Sequence, residues 1–208
     1  ALFAVLEAND DRDVFLRHGA VWAIHRILER EGSTDLAWAR RDDDSRAVRM
    51  GALLVLRHAD DSRIAHFLQD ADPLLVVEAA RAIYDGPMDG AMSALASLAD
   101  ALEPADGEDR QTGQALHRRV IGANVRLRSE VGAMRLARYA ADEAQLESLR
   151  EIALEALGSY AAPPVRDLTM GFHRPLAPAD PEIVATTFRI EGRALVDSSL
   201  GGLSLIHI

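Results

Sequence analysis

The chain has 208 residues, enough for one large domain or two small ones and enough to bury a core without disulfides or metals. Because 49% of the residues are apolar but only 5% are aromatic, the composition favours helices packed through Ala and Leu. The formal charge of -10 argues against nucleic-acid binding, which needs a clustered basic surface. The absence of Cys excludes disulfides, thiolate catalysis, Cys-ligated zinc and covalently attached c-type haem within these residues.

No membrane insertion is predicted, because no apolar run approaches the roughly 18 to 20 residues that a bilayer-spanning helix needs. No charged-then-apolar signal segment opens the chain either. The first residue, Ala1, already belongs to an apolar helical pattern and is not an initiating Met. We therefore expect an internal fragment of a longer protein, with any targeting signal upstream.

Apolar residues at helical spacing predict a series of helices separated by short polar turns. The helices are predicted at about 1–8, 14–31, 35–41, 45–58, 63–68, 74–84, 88–102, 114–127, 129–141, 143–160 and 182–196. The stretch 103–113 has no apolar period and is predicted to be an exposed loop. Acidic turns before several helices are interpreted as N-caps, because they lack the Gly and the distal Glu of a calcium loop.

The longer helices repeat with an Ala near the middle of each. These residues are Ala20, Ala52, Ala80, Ala123 and Ala153. Spacings of about 28 to 43 residues with a helix pair in each unit are typical of an α-solenoid, in which each pair buries its apolar face only against the next. We predict an all-α fold, a right-handed α-solenoid of about five HEAT-like helix pairs with these Ala residues in the repeat core.

Two of the repeats place an Asp in the turn six residues before an Arg in the helix. The pairs are Asp11 with Arg17 and Asp43 with Arg49, and Arg150 occupies the same place in the last repeat. This pattern is similar to the Asp–Arg ladder of HEAT repeats, in which stacked turns and helices hydrogen-bond laterally. The third and fourth repeats carry Val at the Arg position, so a continuous ladder is not predicted.

The predicted organisation has four segments. They are a HEAT-like α-solenoid at 1–162, a Pro/Gly-rich extended linker packed on the surface at 163–181, a short helix beginning a further segment at 182–197, and a disordered or non-native tail at 198–208. The last six residues, LSLIHI, resemble a translated sequencing-adapter tail of the kind found in metagenomic reading frames.

Several stretches together resemble one family. They are DRDVFLRHGAVWAI (11–24), HFLQDADPLLVVEAARAIYDGPM (66–88), GANVRLRSEVGAMRLARYAAD (122–142) and LREIALEALGSYAAPPVRDLTMGFHRPLAPAD (149–180). They are similar to the HEAT-repeat segment of large proteins of the PVC group (Planctomycetes and relatives). In that family a β-propeller resembling sugar or sorbosone dehydrogenases precedes the repeats, and a cytochrome c domain follows them.

The resemblance implies that the parent is an exported, periplasmic dehydrogenase with haem c and PQQ as its cofactors. This segment would be its spacer, with neighbouring domains of the same chain or another protein as partners. The Cys-x-x-Cys-His motif and the catalytic residues of the propeller are absent here. No catalytic, cofactor-binding or metal-binding residue is therefore carried over to this chain.

Arginines from the longer helices are the candidate interaction residues, because these helices line the concave surface in HEAT solenoids. They are Arg17, Arg49, Arg81, Arg126 and Arg150. The alternative is that they pair within the chain with the surplus of Asp and Glu.

Histidines were considered as metal ligands. His18 and His25 share a helix face with Trp22 but lie seven residues apart, too far to chelate one ion, since helical ligand pairs prefer a spacing of three or four. His58 and His66 flank a turn, an arrangement that allows them to converge in space, but no third ligand of matching spacing is evident.

The leading hypothesis for function is a non-catalytic scaffold that spaces the propeller and the cytochrome domain. The alternatives are a free-standing protein-binding HEAT module, a HEAT-like phycobilin lyase and a HEAT-like DNA glycosylase. The glycosylase needs a basic groove with aromatic residues, which the net acidity opposes.

Overall fold

A computed structural model describes residues 1–105 and 110–198, and in these ranges the regular structure is helical, with no strand. The α-helices are α1 Leu2–Asn9, α2 Val14–Glu31, α3 Asp35–Trp38, α4 Arg46–His58, α5 Pro73–Asp85, α6 Asp89–Ser97, α7 Arg110–Leu127, α8 Glu130–Ala141, α9 Glu147–Gly158 and α10 Pro181–Asp197. In the same ranges, 3-10 helices lie at Ser62–Gln69 and Leu98–Asp100. The prediction of an all-α protein is confirmed.

The largest differences from the predicted helix boundaries, four or five residues each, are at α6, α7 and α9. Helix α7 begins at Arg110, so its first turn lies within the stretch predicted as loop. Helix α6 ends at Ser97 and gives way to a 3-10 turn. Helix α9 begins four residues later than predicted because Asp142 forms a turn, its carboxylate accepting a hydrogen bond from the backbone N–H of Ala144 at 3.1 Å.

The acidic turns act as helix caps. The Asp13 carboxylate accepts hydrogen bonds from two backbone N–H groups in the first turn of α2, at 2.8 and 3.1 Å. The Asp72 carboxylate accepts one such bond, from the N–H of Leu74 at 2.9 Å, before α5, where Pro73 fills the first helical position at little cost. At the other end, Gly32 ends α2 in the left-handed region with φ 67°. The interpretation as caps is confirmed for Asp13 and Asp72, whereas in the turn 42–44 the residue that caps α4 is the following Ser45.

The chain divides into two compact units, unit 1 at Ala1–Ala91 and unit 2 at Met92–Ile208, and the boundary falls within α6. The tail predicted at 198–208 lies outside the described residues, apart from Ser198. None of the helices in the described ranges is both long and apolar enough to cross a bilayer.

The core of unit 1 is built from one face each of α2, α4, α5 and the 3-10 helix at Ser62–Gln69. Ala20, Ala52 and Ala80 are all buried in it. Fully buried side chains around them include Leu53, Leu56, Ile64, Phe67, Leu75 and Ile83. These apolar residues recur every three or four positions, so each helix turns one stripe toward the core.

In unit 2, α8 packs against both α9 and α10, and α7 packs against α8 and α9. Ala123 and Ala153 are buried. Other buried members of this core include Ile121, Ala133, Leu136, Leu149, Leu157 and Tyr160. All five Ala residues of the predicted repeat core therefore lie in the interior of one unit or the other.

The Pro-rich stretch between α9 and α10 runs over the surface of unit 2 without regular helix. Thr169 Oγ1 donates a hydrogen bond to the carbonyl oxygen of Arg118 on α7 at 3.1 Å, and the N–H of Ala179 donates to the carbonyl of Tyr160 at 2.9 Å. Asp167, buried, pairs with Arg126 of α7 at 3.3 Å. These contacts fix the stretch against α7 and α9.

Candidate interaction surfaces

In unit 1, ion pairs join the turn that precedes one helix to a neighbouring helix. Arg49 of α4 donates from Nε and Nη2 to the carboxylate of Asp70, in the turn before α5, at 2.8 and 3.1 Å. Arg46 reaches Asp72 in the same turn at 2.6 Å. Because these pairs connect residues far apart in sequence, they fix the position of α5 relative to α4.

The two Asp–Arg pairs predicted from sequence have different outcomes. Arg17 contacts Asp11 at 3.1 Å, as predicted. Arg49 contacts Asp43 only through its backbone carbonyl, at 2.9 Å, and its carboxylate partner is Asp70. The carboxylate of Asp43 is already used by the backbone N–H of Ser45 at 3.0 Å and by Arg40 at 3.3 Å.

The Arg49–Asp70 pair is largely removed from solvent, with side-chain exposures of 18% and 7%. Burial alone would raise the pKa of Asp70, but the hydrogen bonds from Arg49 and from the backbone N–H of Asp72 outweigh it and hold that pKa below its ordinary value. The same pair raises the pKa of Arg49. Both groups therefore stay charged in the folded unit at neutral pH.

A second polar network lies around Asp61, at the start of the 3-10 helix. Its carboxylate accepts from Thr34 Oγ1 at 2.6 Å and from Arg63 at 2.7 Å, and Arg63 also contacts Asp35 at 2.8 Å. Although burial opposes the shift, the hydrogen bonds from Arg63 and Thr34 lower the pKa of Asp61 to about 2. The network ties the α2–α3 connection to the 3-10 helix.

The remaining arginines proposed as interaction residues also have partners inside the chain. Arg81 contacts Glu78 at 3.5 Å, Arg126 contacts Asp167 at 3.3 Å, and Arg150 Nε donates to the carbonyl of Ala140 at 2.9 Å. These contacts match the alternative of intramolecular pairing. Binding of a second protein by these arginines stays a prediction.

Three aromatic rings of unit 1 form a mutual triangle, here named the imidazole cluster: Trp22 and His25 of α2 and His58 of α4. Their ring centroids are 5.4 Å apart for Trp22–His25, 5.3 Å for Trp22–His58 and 5.4 Å for His25–His58. Trp22 is 47% exposed, so solvent reaches the cluster. Phe15, two turns earlier on α2, is 85% exposed.

The convergence of His58 with His66 that the sequence allows is not what the structure shows. His58 is the last residue of α4 and turns toward α2, whereas His66 bonds Asp42 at 2.7 Å and contacts the ring of Trp38. Burial, and next the nearby His25, lower the pKa of His58. Sequence showed the shared face on α2 but could not show which histidine of another helix meets it.

In unit 2 two buried hydrogen bonds involve aromatic side chains. His117 Nδ1 lies 2.6 Å from the hydroxyl of Tyr139, and the hydroxyl of Tyr160 donates to the carbonyl of Asn124 at 2.8 Å. Burial lowers the pKa of His117 and raises those of both tyrosines, so all three are neutral at pH 7. Two neutral, saturated pairs of this kind hold helices together.

A groove of about 660 Å³ lies between α8 and the segments 99–102 and 142–145. Its walls include Leu102, Val131, Met134, Arg135, Arg138 and Gln145. The volume falls in the range of small-ligand sites. Both arginines are paired within unit 2, Arg135 with Asp100 at 2.7 Å and Arg138 with Glu191 at 2.8 Å. The groove was not predicted, because segments distant in sequence form its walls.

Arg128, between α7 and α8, has an unusual environment. Its three guanidinium nitrogens are buried without a hydrogen-bond partner, and the guanidinium carbon lies 4.8 Å from the ring centroid of Tyr160. Burial lowers its pKa. Its backbone is in the left-handed region at φ 51°, which few side chains favour.

Within 1–105 and 110–198 no three His, Cys, Asp or Glu side chains lie close enough to hold a metal ion by themselves. Comparison with protein-family models, with curated proteins and with solved structures found no match to this chain.

Proposed function

We propose that this chain is a non-catalytic scaffold of HEAT-like helix pairs, about five in number, that form a right-handed solenoid. The observation that carries the proposal is the lateral ion pairing in unit 1, where Arg49 and Arg46 of one helix bind Asp70 and Asp72 in the turn before the next. Such pairs fix the stacking of consecutive helices, which is what a rigid spacer needs. The buried Ala residues support it by allowing close helix contact.

We further propose that the chain is the middle segment of an exported, periplasmic dehydrogenase and separates a β-propeller from a cytochrome c domain. The support is the resemblance of residues 11–24, 66–88, 122–142 and 149–180 to such spacers. Haem c and PQQ would then belong to the parent protein, and the neighbouring domains would be the partners of this segment.

Recovery of the complete gene from the source DNA tests this proposal most directly. We expect a propeller reading frame upstream and a Cys-x-x-Cys-His motif downstream in the same open reading frame. A start codon and a stop codon directly flanking the segment would contradict the spacer role.

The alternative is a free-standing protein-binding module. The exposure of Phe15 and Trp22 on one side of α2 favours it, because large exposed aromatic side chains frequently anchor protein partners. A complete gene limited to the helical segment, together with specific retention of one protein from the source organism that is lost in Phe15→Ala, would support this alternative over the spacer.

A further inference from the structure

The imidazole cluster has a chemistry that scaffolding does not use. His25 and His58 come from different helices of unit 1, their rings are in contact, and both are at least partly exposed. Within 1–105 and 110–198, neither imidazole hydrogen-bonds to another side chain or to the backbone. Two imidazoles with uncommitted nitrogens, held together by the fold, are a donor pair for a metal ion.

We propose that His25 and His58 together bind a divalent transition-metal ion, with Cu²⁺ bound most tightly. A metal lies about 2 Å from an imidazole nitrogen and about 3 Å from the ring centre. Two ligands therefore place their ring centres about 4 Å apart at the 90° angle of tetragonal copper and about 5 Å apart at a tetrahedral angle. The observed separation of 5.4 Å is closer to the tetrahedral value.

The environment of His58 favours the neutral imidazole that a metal ion needs, although His25, Arg57 and His18 act against any positive charge at this position. Only a neutral imidazole binds a metal, and the burial that lowers the pKa of His58 keeps it neutral at pH 7. His58 ends α4, where the helix dipole favours positive charge. The adjacent Arg57 is paired with Glu78 at 2.7 Å, and His18 is the other titratable group that acts on His58.

The donor set defines the class of ion. Two imidazole nitrogens suit copper, nickel and zinc rather than magnesium or calcium, and copper stands highest in the affinity order of divalent ions. Since no three candidate ligands come together in the described ranges, water would fill the remaining positions. The site is therefore expected to be open and exchangeable, unlike a closed structural zinc site.

Trp22 provides the readout, because a paramagnetic ion bound to His25 and His58 lies beside its indole ring and quenches its fluorescence. The experiment uses the full chain carrying Trp38→Phe, so that Trp22 is the only fluorescent indole. Titration with CuCl₂ at pH 7.5 should give saturable quenching at one ion per chain, and excess ZnCl₂, which does not quench, should restore the emission.

His25→Asn and His58→Asn should each weaken Cu²⁺ binding by about tenfold or more, because each removes one of two ligands. The matched control is His66→Asn, in which an exposed imidazole that contacts a different aromatic ring is removed and the affinity should not change. Far-UV circular dichroism of each variant checks that the helices are retained.

Acidification provides an independent check, since binding should weaken steeply below about pH 6 as the imidazoles protonate. Quenching that does not saturate, or that survives either cluster substitution unchanged, would overturn the proposal. An equal loss in His66→Asn would also overturn it, because the binding would then be a property of surface histidines in general.

Discussion

Asp70→Ala should destabilise unit 1 by about 2 to 3 kcal/mol. Removing one partner of a buried ion pair costs about 3 to 5 kcal/mol, because the other charge is left without compensation. Arg49 keeps its hydrogen bond to the carbonyl of Asp43, and its 18% exposure admits some water, so the expected cost is at or below the lower end of that range. The hydrogen bond from the N–H of Asp72 to Asp70 is lost as well.

Urea unfolding followed by tryptophan emission measures this effect, since Trp22 and Trp38 both lie in unit 1. The matched control is Glu29→Ala, which removes the partner of Arg26 from an ion pair whose side chains are 53% and 51% exposed. Exposed pairs contribute about 0.2 to 1 kcal/mol, so the control should change little. The contrast between the two variants isolates the effect of burial.

A double-mutant cycle completes the test. Arg49→Met replaces the guanidinium by an apolar side chain of similar length, and combining it with Asp70→Ala should cost less than the two single changes added together. We expect a coupling free energy of about 2 kcal/mol, within the range for contacting residues. The reasoning would be refuted by a coupling near zero, or by a loss in Asp70→Ala no larger than in the Glu29 control.

Three further predictions concern packing and pH. Burial lowers the pKa of His117 in the folded protein. Its contribution to the stability of unit 2 is therefore complete above the ordinary value of about 6.5 and is lost as pH falls. Urea unfolding followed by circular dichroism should show a lower free energy of unfolding at pH 5 than at pH 7.5, and His117→Asn should reduce this difference. Gly51→Ala would place a methyl group 2.3 Å from Leu6 Cδ1 and should lower the free energy of unfolding by about 1 to 3 kcal/mol. Gly19→Ala lies in a helix with open space around it and should raise the free energy of unfolding by about 0.5 to 1 kcal/mol in the same urea assay. Arg128→Met loses the contact with the Tyr160 ring but no hydrogen bond, and it removes a buried charge, so stability should stay unchanged or rise. A destabilisation above about 1 kcal/mol in the same assay would show that the contact with Tyr160 outweighs the burial of the charge.

Local chemistry explains why the helices could be predicted. Asp13 and Asp72 each precede a helix they cap, and Gly32 ends one in a backbone region that favours glycine. The errors arose where a side chain redirects the backbone, as Asp142 does before α9. They also arose where a polar helical turn resembles a loop, as at the start of α7.

The candidate sites were less predictable, since each depends on residues from separate helices. Sequence placed Trp22 and His25 on one face of α2, but the third ring belongs to α4, whose orientation depends on the packing of unit 1. Similarly, the spacing of Asp43 and Arg49 indicated a pair. It could not show that the Asp43 carboxylate accepts a hydrogen bond from the backbone N–H of Ser45 in its own turn.

The sequence by itself determined the helical class, the caps and the five interior Ala residues, because these depend on periodicity and on hydrogen bonds between residues a few positions apart. Only the tertiary structure decided the partner of Arg49, the ring that meets His25, and the burial of the Arg128 guanidinium. A charged or aromatic side chain can reach several neighbours, and the packing of the helices determines which of them it contacts. Local sequence therefore cannot predict the partner.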